Sequence, residues 1–532
     1  MKLRVLAPLL PALLMLLMGL MVARAHGQTL VVEFSDAHSA YDRLPNFLRT
    51  VGESIREFRA QNPQGQAVIL VNGDYSGLSA WTNEDGWLGI KALEHLRRQA
   101  PVLFVLGNHD AFDWSDNKRG NELVQRQLAR LHQVGVKVLG ANMEFGDSVR
   151  QLTEPHFDLR AHGKTLRIAA LGLENFFVKS NWVNDPVHPI VNRMLDTDRA
   201  LAEVWDRAAR DGVHSLVFFQ HDGHREVAER VRRLGTYREG RAGPNLPVVF
   251  AAHDHELARF QVQGTEVVDS RSNFDLSTVT LDRDFKFRNA EFYDQSRQQT
   301  VAARAARLDD GLERFIRTTE SLIAKTARQS GEVLAEMAGF EDYKLTLKDG
   351  RRPLGTALAE SLRAWGEEEA RRLGKARLPV VAMYNSSSYR RDDPVREGAL
   401  TRGDVRGFYP FPGEVMMFET TLREAEKLFA DLRRWRLAQD GKYTPQLSEN
   451  LGEGDALTLE LRKSNRAKNP RVLLVLDSWL SRNGYAIESF DAFLKTHPPI
   501  AGFAHMRLLE NFAPRVFERL APPVKSCRLV HR

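Results

Sequence analysis

Cysteine is almost missing from this chain. Its 532 residues include one, Cys527, so no disulfide can form within the chain and no cysteine-based zinc finger can be built. Internal repeats and low-complexity segments are missing too. With 43% apolar and 27% charged residues, the composition excludes a mostly disordered, collagen-like or polytopic membrane protein. Charge of one sign is in short supply: the formal net charge is +6. Lys2, Arg4 and Arg24 belong to a segment expected to be removed, which leaves +3. That surplus is too weak to argue for binding to nucleic acid or to a membrane surface. What the chain does have is length: 60.4 kDa is more than one hydrophobic core normally organises, and two domains are expected.

The only long apolar run is at the start. Residues 1–25 open with Lys2 and Arg4, continue through Leu6 to Val22 and end Ala23-Arg24-Ala25, the pattern of a secretory signal peptide with a small-residue cleavage site. The mature protein is therefore expected to be periplasmic or secreted, with no stable membrane insertion after cleavage.

From Thr29 onward, short apolar runs alternate with helical periodicity. Leu30–Phe34, Val68–Val71, Val102–Leu106, Leu166–Leu171, Leu216–Phe219 and Val248–Ala251 read as strands. Leu44, Phe47, Leu48, Val51, Ile55 and Phe58 recur every three or four residues, one face of an amphipathic helix. Strands joined by helices imply βα units with helices covering the sheet faces. After Ala252 the strands shorten, and a helical stretch from Gln298 to about Glu336 reads as a connecting helix. The remainder mixes helices (Thr356–Arg372, Leu422–Arg436) with strands (Val380–Met383, Val415–Glu419, Val472–Leu476).

The chemistry lies just past the strand ends. Asp36 and His38 follow the first strand and Asp74 the second. Asn108 and His109 follow the third, His221 the fifth, and His253 and His255 the sixth. Any one of these has an ordinary structural explanation, since a lone Asp after a strand is usually a helix cap or turn former. Together they share one topological position, the carboxyl end of strands, where open α/β sheets bind ligands. They also share one ligand chemistry. Nitrogen and oxygen donors without thiolate suit divalent ions such as Zn²⁺ or Mn²⁺. A pair of such ions activates a water and clamps both oxygens of an in-line displacement, which is phosphoester chemistry.

Asp36-x-His38, Gly73-Asp74, Gly107-Asn108-His109-Asp110, His221 with Gly223, and His253-x-His255 resemble the five blocks of the calcineurin-like metallophosphoesterases. Within that superfamily the chain is similar to the secreted bacterial 5′-nucleotidase family. The resemblance implies that Asp36, His38 and His255 hold one metal and that Asn108, His221 and His253 hold the other. Asp74 would bridge both, and a hydroxide between the metals would be the nucleophile. His109 would stabilise the transferring phosphoryl group or protonate the leaving oxygen. In the family an aspartate three residues later orients this histidine. Phe112 stands there in this chain, and the candidates for the role are Asp113 and Asp110.

The second half departs further from that family. Asn385-Ser386-Ser387-Ser388-Tyr389-Arg390 resembles its Asn-x-Gly-x-x-Arg segment, which implies that Asn385 and Arg390 bind substrate, the guanidinium matching phosphate oxygens. Pro410-Phe411 resembles the start of its base-stacking Pro-Phe-Gly-Asn, so Phe411 is the candidate stacking ring. Pro412-Gly413-Glu414 follows, and the base-reading amide is missing. Two other segments are altered, as Pro353-Leu354-Gly355-Thr356 and Thr496-His497-Pro498-Pro499.

The resulting expectation is an α/β protein: a four-layer α/β/β/α metallophosphoesterase sandwich at 26–297, a linker helix at 298–338 and a smaller mixed α/β substrate domain at 339–532. Its function would be hydrolysis of nucleoside 5′-monophosphates or related phosphomonoesters, with two divalent metal ions and a small-molecule phosphoester substrate; no nucleic acid polymer is expected as partner. The alternatives are hydrolysis of a cyclic or sugar phosphate or of a sulfur compound, as in thiosulfohydrolase relatives, and a non-catalytic binding protein on the same fold. Oligomeric state is left open.

Overall fold

The protein is described from a computed structural model, which covers residues 27–76, 87–112, 117–172, 190–305, 308–330, 333–337, 353–384, 398–402, 405, 414–438, 446–447, 469–477, 480–481 and 487–520. The expected signal peptide, Asp113, Asn385, Arg390 and Phe411 lie outside the described residues. The chain divides into two compact units at Ala324/Lys325.

In the first unit the strands are β1 (Thr29–Phe34), β2 (Gln66–Asn72), β3 (Val102–Val105), β4 (Lys137–Leu139), β5 (Met143–Phe145), β6 (Thr153–Glu154), β7 (His156–Ala161) and β8 (Lys164–Leu171). They continue with β9 (Val191–Met194), β10 (Ser215–Gln220), β11 (Val248–Ala251), β12 (Leu257–Val262), β13 (Thr265–Ser270), β14 (Leu276–Leu281) and β15 (Phe287–Tyr293). One sheet has seven strands in the order β15-β14-β1-β2-β3-β4-β6, and another has six in the order β12-β13-β11-β10-β8-β7. The strands that precede the candidate ligands are central and pair in parallel with one another, β1 with β2, β2 with β3, and β10 with β11, while β1 is antiparallel to β14 on its other side.

Period-two alternation explains the layering. In β8, β10 and β11 the residues Ile168, Ala170, Val217, Phe219, Val248 and Phe250 join the core shared with the seven-stranded sheet. Their neighbours Ala169, Leu171, Leu216, Phe218, Val249 and Ala251 face a second core. That outer core is closed by Leu201 and Trp205 of one helix (Thr197–Arg210) and by Val227, Val231 and Leu234 of another (His224–Arg238). The far side of the seven-stranded sheet is covered by the helix Leu44–Gln61, and every apolar residue of its expected face is buried. Phe47 of that helix meets Phe34 edge to face at 4.6 Å. The result is the expected α/β/β/α sandwich.

Where the sequence suggests one linking helix over 298–338, the structure has two helices and a strand. Gln295–Arg304 is capped by Asp294, which accepts from Arg297 N at 2.8 Å. Asp309 starts Asp310–Ser330 by accepting from the amides of Gly311 and Leu312. Val333–Met337 is a strand paired with Gly398–Thr401. Two capping aspartates interrupt what periodicity alone reads as continuous.

The second unit is centred on a five-stranded sheet. Val380, Ala382, Val415, Met417, Leu473 and Val475 pack against the helices Pro353–Arg372 and His505–Leu520 on one face. On the other, Val381, Met383, Phe418, Val472 and Leu474 pack against Leu422–Ala438 and Glu488–Thr496. Pro353-Leu354-Gly355 is the start of the first of these helices. His497, at the end of the last, stacks on Phe493 at 4.2 Å. Among the described residues, no helix is long and apolar enough to cross a membrane.

One acid sits inside the sandwich. Glu33 of β1 is fully buried and accepts from Ser277 Oγ at 3.0 Å. Burial pushes its carboxyl up to about 8, against hydrogen bonds from Ser277, Ser270 and Asn72, and the nearby Asp36 pushes the same way. A carboxyl whose pKa rises on folding stabilises the fold fully below its unfolded value and loses that contribution as pH rises through the folded one. Glu33→Gln should therefore melt progressively higher relative to the wild type as pH rises from about 4.5 to about 8, with the difference level at lower pH. Melting curves across that range of a metal-free sample check it.

Candidate metal centre

The carboxyl ends of β1, β2 and β3 in one sheet and of β10 and β11 in the other open onto the same place. Their loops are stitched together directly. Asn72 Nδ2 donates to Ala251 O at 3.1 Å, across the sandwich. His253 N donates to Asp36 Oδ2 at 3.0 Å, and the loop after β1 keeps pairing past the strand, with Asp36 N on Gly73 O and His38 N on Asp74 O.

Two sets of ligand types result. Asp36, His38 and His255 form one, and Asp74, His221 and His253 the other, each with its donor atoms within 4.8 Å of one another. In the first set the Nε2 atoms of His38 and His255 approach to 3.2 Å, and His255 Nε2 lies 3.2 Å from Asp36 Oδ1. Three donor atoms converging in this way is what a cation between them requires. In the second set His221 Nε2 lies 3.2 Å from both Asp74 Oδ2 and Asn108 Oδ1. His221 Nδ1 donates to the carbonyl of Asn72 at 2.7 Å. A carbonyl can only accept, so Nε2 is the atom turned toward the site, the outer-shell arrangement typical of metal-bound histidine.

Burial and charge point the same way. Asp36 and Asp74 are fully buried, and Asp36 Oδ1 and Asp74 Oδ2 face the imidazole nitrogens of His255 and His221. Burial opposes the ionisation of Asp74, but His221, His109 and His38 outweigh it and hold the carboxyl far below its usual range. Asp36 is held low in the same way, burial being overcome chiefly by His255 and His221. Burial also opposes charge on His221, and Asp74 and Asp36 push it up to about 10. The pocket selects positive charge at these points, from protons or from cations in their stead. The donor set fits a pair of divalent ions.

Backbone geometry marks the same residues. Asp36, His38, Asp74, His253 and His255 all have positive φ, between 45° and 74°. Asp and His tolerate this region better than most residues, yet each such position costs on the order of 1–3 kcal/mol and persists only where its surroundings over-determine it. Two glycines make the close approach possible. A Cβ on Gly73 would lie 2.4 Å from His221 Nδ1, and one on Gly107 would lie 2.2 Å from Asp74 Oδ1.

His109 begins a short helix, His109–Phe112. Its amide donates to Asp74 Oδ1 at 2.6 Å, and its ring stands edge-on to His38 at 5.0 Å. It thus borders both sets without belonging to either. Asp110 braces the loops: Oδ2 accepts from Gly107 N, and Oδ1 accepts from the amide and hydroxyl of Ser76. Burial and then Asp74 raise its carboxyl to about 7, against those bonds. The sequence reading missed this bracing role, and it missed a third group, His224, Asp254 and Glu256. The signal for the latter was visible, since Asp254 and Glu256 alternate with His253 and His255.

The sequence of residues 29–257 matches the calcineurin-like phosphoesterase family. No curated protein matches the chain in sequence. Among solved structures, the chain is similar to a 5′-nucleotidase precursor from Thermus thermophilus, with a TM-score of 0.62 at 16% identity over 92% of this chain and 96% of that one. A 5′-nucleotidase from Candida albicans gives 0.61 at 14% identity over 92% and 98%. A sulfate thiohydrolase from Thermus thermophilus gives 0.60 at 16% identity over 92% and 94%. These likenesses establish a shared fold. With its two Asp/His clusters at the strand ends, residues 29–257 form a calcineurin-like phosphoesterase domain, and the protein is a metallophosphoesterase-like, metal-dependent hydrolase.

Proposed function

We propose that the protein is an exported two-metal phosphohydrolase acting on nucleoside 5′-monophosphates or related phosphomonoesters. The observation that carries this reading is the convergence of two Asp/His sets, each on a buried carboxylate that turns one oxygen, Asp36 Oδ1 or Asp74 Oδ2, toward an imidazole nitrogen at 3.2 Å. Asp36, His38 and His255 would hold one ion; His221, His253 and Asn108 would hold the other; Asp74, whose two oxygens face different neighbours, would bridge them. Divalent ions placed there supply an activated water and a clamp on the reacting oxygens. Zn²⁺ and Mn²⁺ both suit the donors. His109 borders the sets as a proton donor or charge stabiliser for the leaving side, with Asp113 proposed to orient its ring. Burial and the neighbouring His221 hold His253 below its ordinary value, which keeps it in the neutral form a ligand needs. Asn385, Arg390 and Phe411 are our candidates for substrate recognition, and the leader at residues 1–25 supports export.

A second reading is favoured by one specific feature. Phe411 is followed by Pro412-Gly413-Glu414, without the amide that would read a base, and the fold likeness to a sulfate thiohydrolase is as close as that to the nucleotidases. The ester would then be a different phosphate or a sulfur compound.

Phosphate release by the Mn²⁺- or Zn²⁺-loaded protein separates the two. AMP turned over at least a hundredfold faster than p-nitrophenyl phosphate, and lost with EDTA, is the expected result. Comparable kcat/KM on AMP and the aryl ester would favour the second reading. His109→Ala should retain its metals and lose roughly 10²–10⁴-fold in turnover, checked by metal analysis beside the assay. Asp74→Asn should weaken both ions together; a variant binding both as tightly as the wild type would end the bridging assignment.

A further inference from the structure

Residues 253–256 alternate in direction. His253 and His255 each give a nitrogen to a different ligand set, while Asp254, between them, reaches the start of the helix His224–Arg238. Asp254 Oδ2 accepts from the amide of His224 at 3.1 Å and lies 2.5 Å from His224 Nδ1. Asp254 Oδ1 accepts from Glu256 N at 3.1 Å, so the carboxylate grips both the helix and its own loop. The helix end is itself fixed. Val227, Val231 and Leu234 are buried in the outer core, Arg230 pairs with Asp222, and the His224 ring stands edge-on to Phe260 of β12 at 6.0 Å.

The loop so held is one that needs holding, since His253 and His255 have φ of 74° and 60°. Released, such a segment relaxes toward ordinary backbone, and both imidazoles turn with it. We propose that Asp254 and His224 are positioning residues: their link to the helix sets the loop that presents one ligand to each metal. This rests on the two-metal reading above. It also explains why a carboxylate, rather than a neutral residue, stands between two histidine ligands. It accepts two amides at once and sits at the positive end of a helix. That same positive end argues against reading His224, Asp254 and Glu256 as a third cation site.

The test is metal binding to the full-length mature protein, titrated from the metal-free state with Mn²⁺ against a competing chelator, with the melting temperature of each metal-free sample recorded alongside. The wild type should bind two ions. Asp254→Ala should bind both about 10–100-fold more weakly while its metal-free sample still unfolds cooperatively, within about 5 °C of the wild type. His224→Ala, which keeps its backbone amide, should act in the same direction and less, and the double variant should bind no more weakly than Asp254→Ala, because both changes cut one link. Unchanged affinity in Asp254→Ala, or weakening of one ion alone, would overturn the proposal. So would a third ion in the wild type that either variant loses. If Asp254→Ala fails to fold, His224→Ala decides by the same readout. A wild type that binds no metal would overturn the two-metal reading itself, a result distinct from any of these.

Discussion

Two carboxylates buried where two sheets meet govern this structure. Asp36 and Asp74 have essentially no solvent, and each turns one oxygen toward an imidazole nitrogen at 3.2 Å. A buried charge is tolerated only when paired, and here the pairing groups are imidazoles gathered from loops far apart in the chain. The arrangement makes sense as a cradle for cations. Asp36 and Asp74 are held low and His221 is held high because these groups face one another where water is excluded.

The surroundings are built to keep this cradle from relaxing. Positive φ at five of its residues is sustained by hydrogen bonds that cross between loops: Asp36 to His253 N, Asp74 to His109 N, Asp110 to Gly107 and Ser76. Gly73 and Gly107 let the backbones approach where a Cβ would strike His221 or Asp74. Beneath the site, Glu33 fills the space between the sheets as an acid kept neutral to about pH 8 by burial. Strain at a functional site is tolerated when the scaffold around it is stiff, and here the scaffold is two packed sheets with helices on both outer faces.

Much of the fold was legible because the periodicities are clean. The helix face from Leu44 to Phe58 is buried as its spacing requires, and the strands of the sandwich fall where the apolar runs place them. Legibility failed where a local polar group overrode periodicity, as Asp294 and Asp309 do in starting two separate helices. It failed too where one residue type serves several ends. Asp110 sits beside His109 in sequence, yet its carboxylate is spent on Gly107 and Ser76. Asp254 looks like a spacer between two histidines until the helix it grips is in view.

The sequence by itself determined the elements and the inventory: which runs become strands, which faces they bury, and that Asp, Asn and His side chains able to hold a cation follow the strand ends. Hydrophobic alternation and turn chemistry are local, and they can be read residue by residue. Only the tertiary structure showed how the partition implied by the family resemblance is made, with His255 converging on Asp36 and His38 while His253 converges on Asp74 and His221. Neighbours two apart in the chain are sent to different sets because the loop between them turns through left-handed backbone and is held by Asp254. That geometry depends on how two sheets stack and on a helix from a third segment. Such long-range packing sets which loops meet, and no local pattern encodes it.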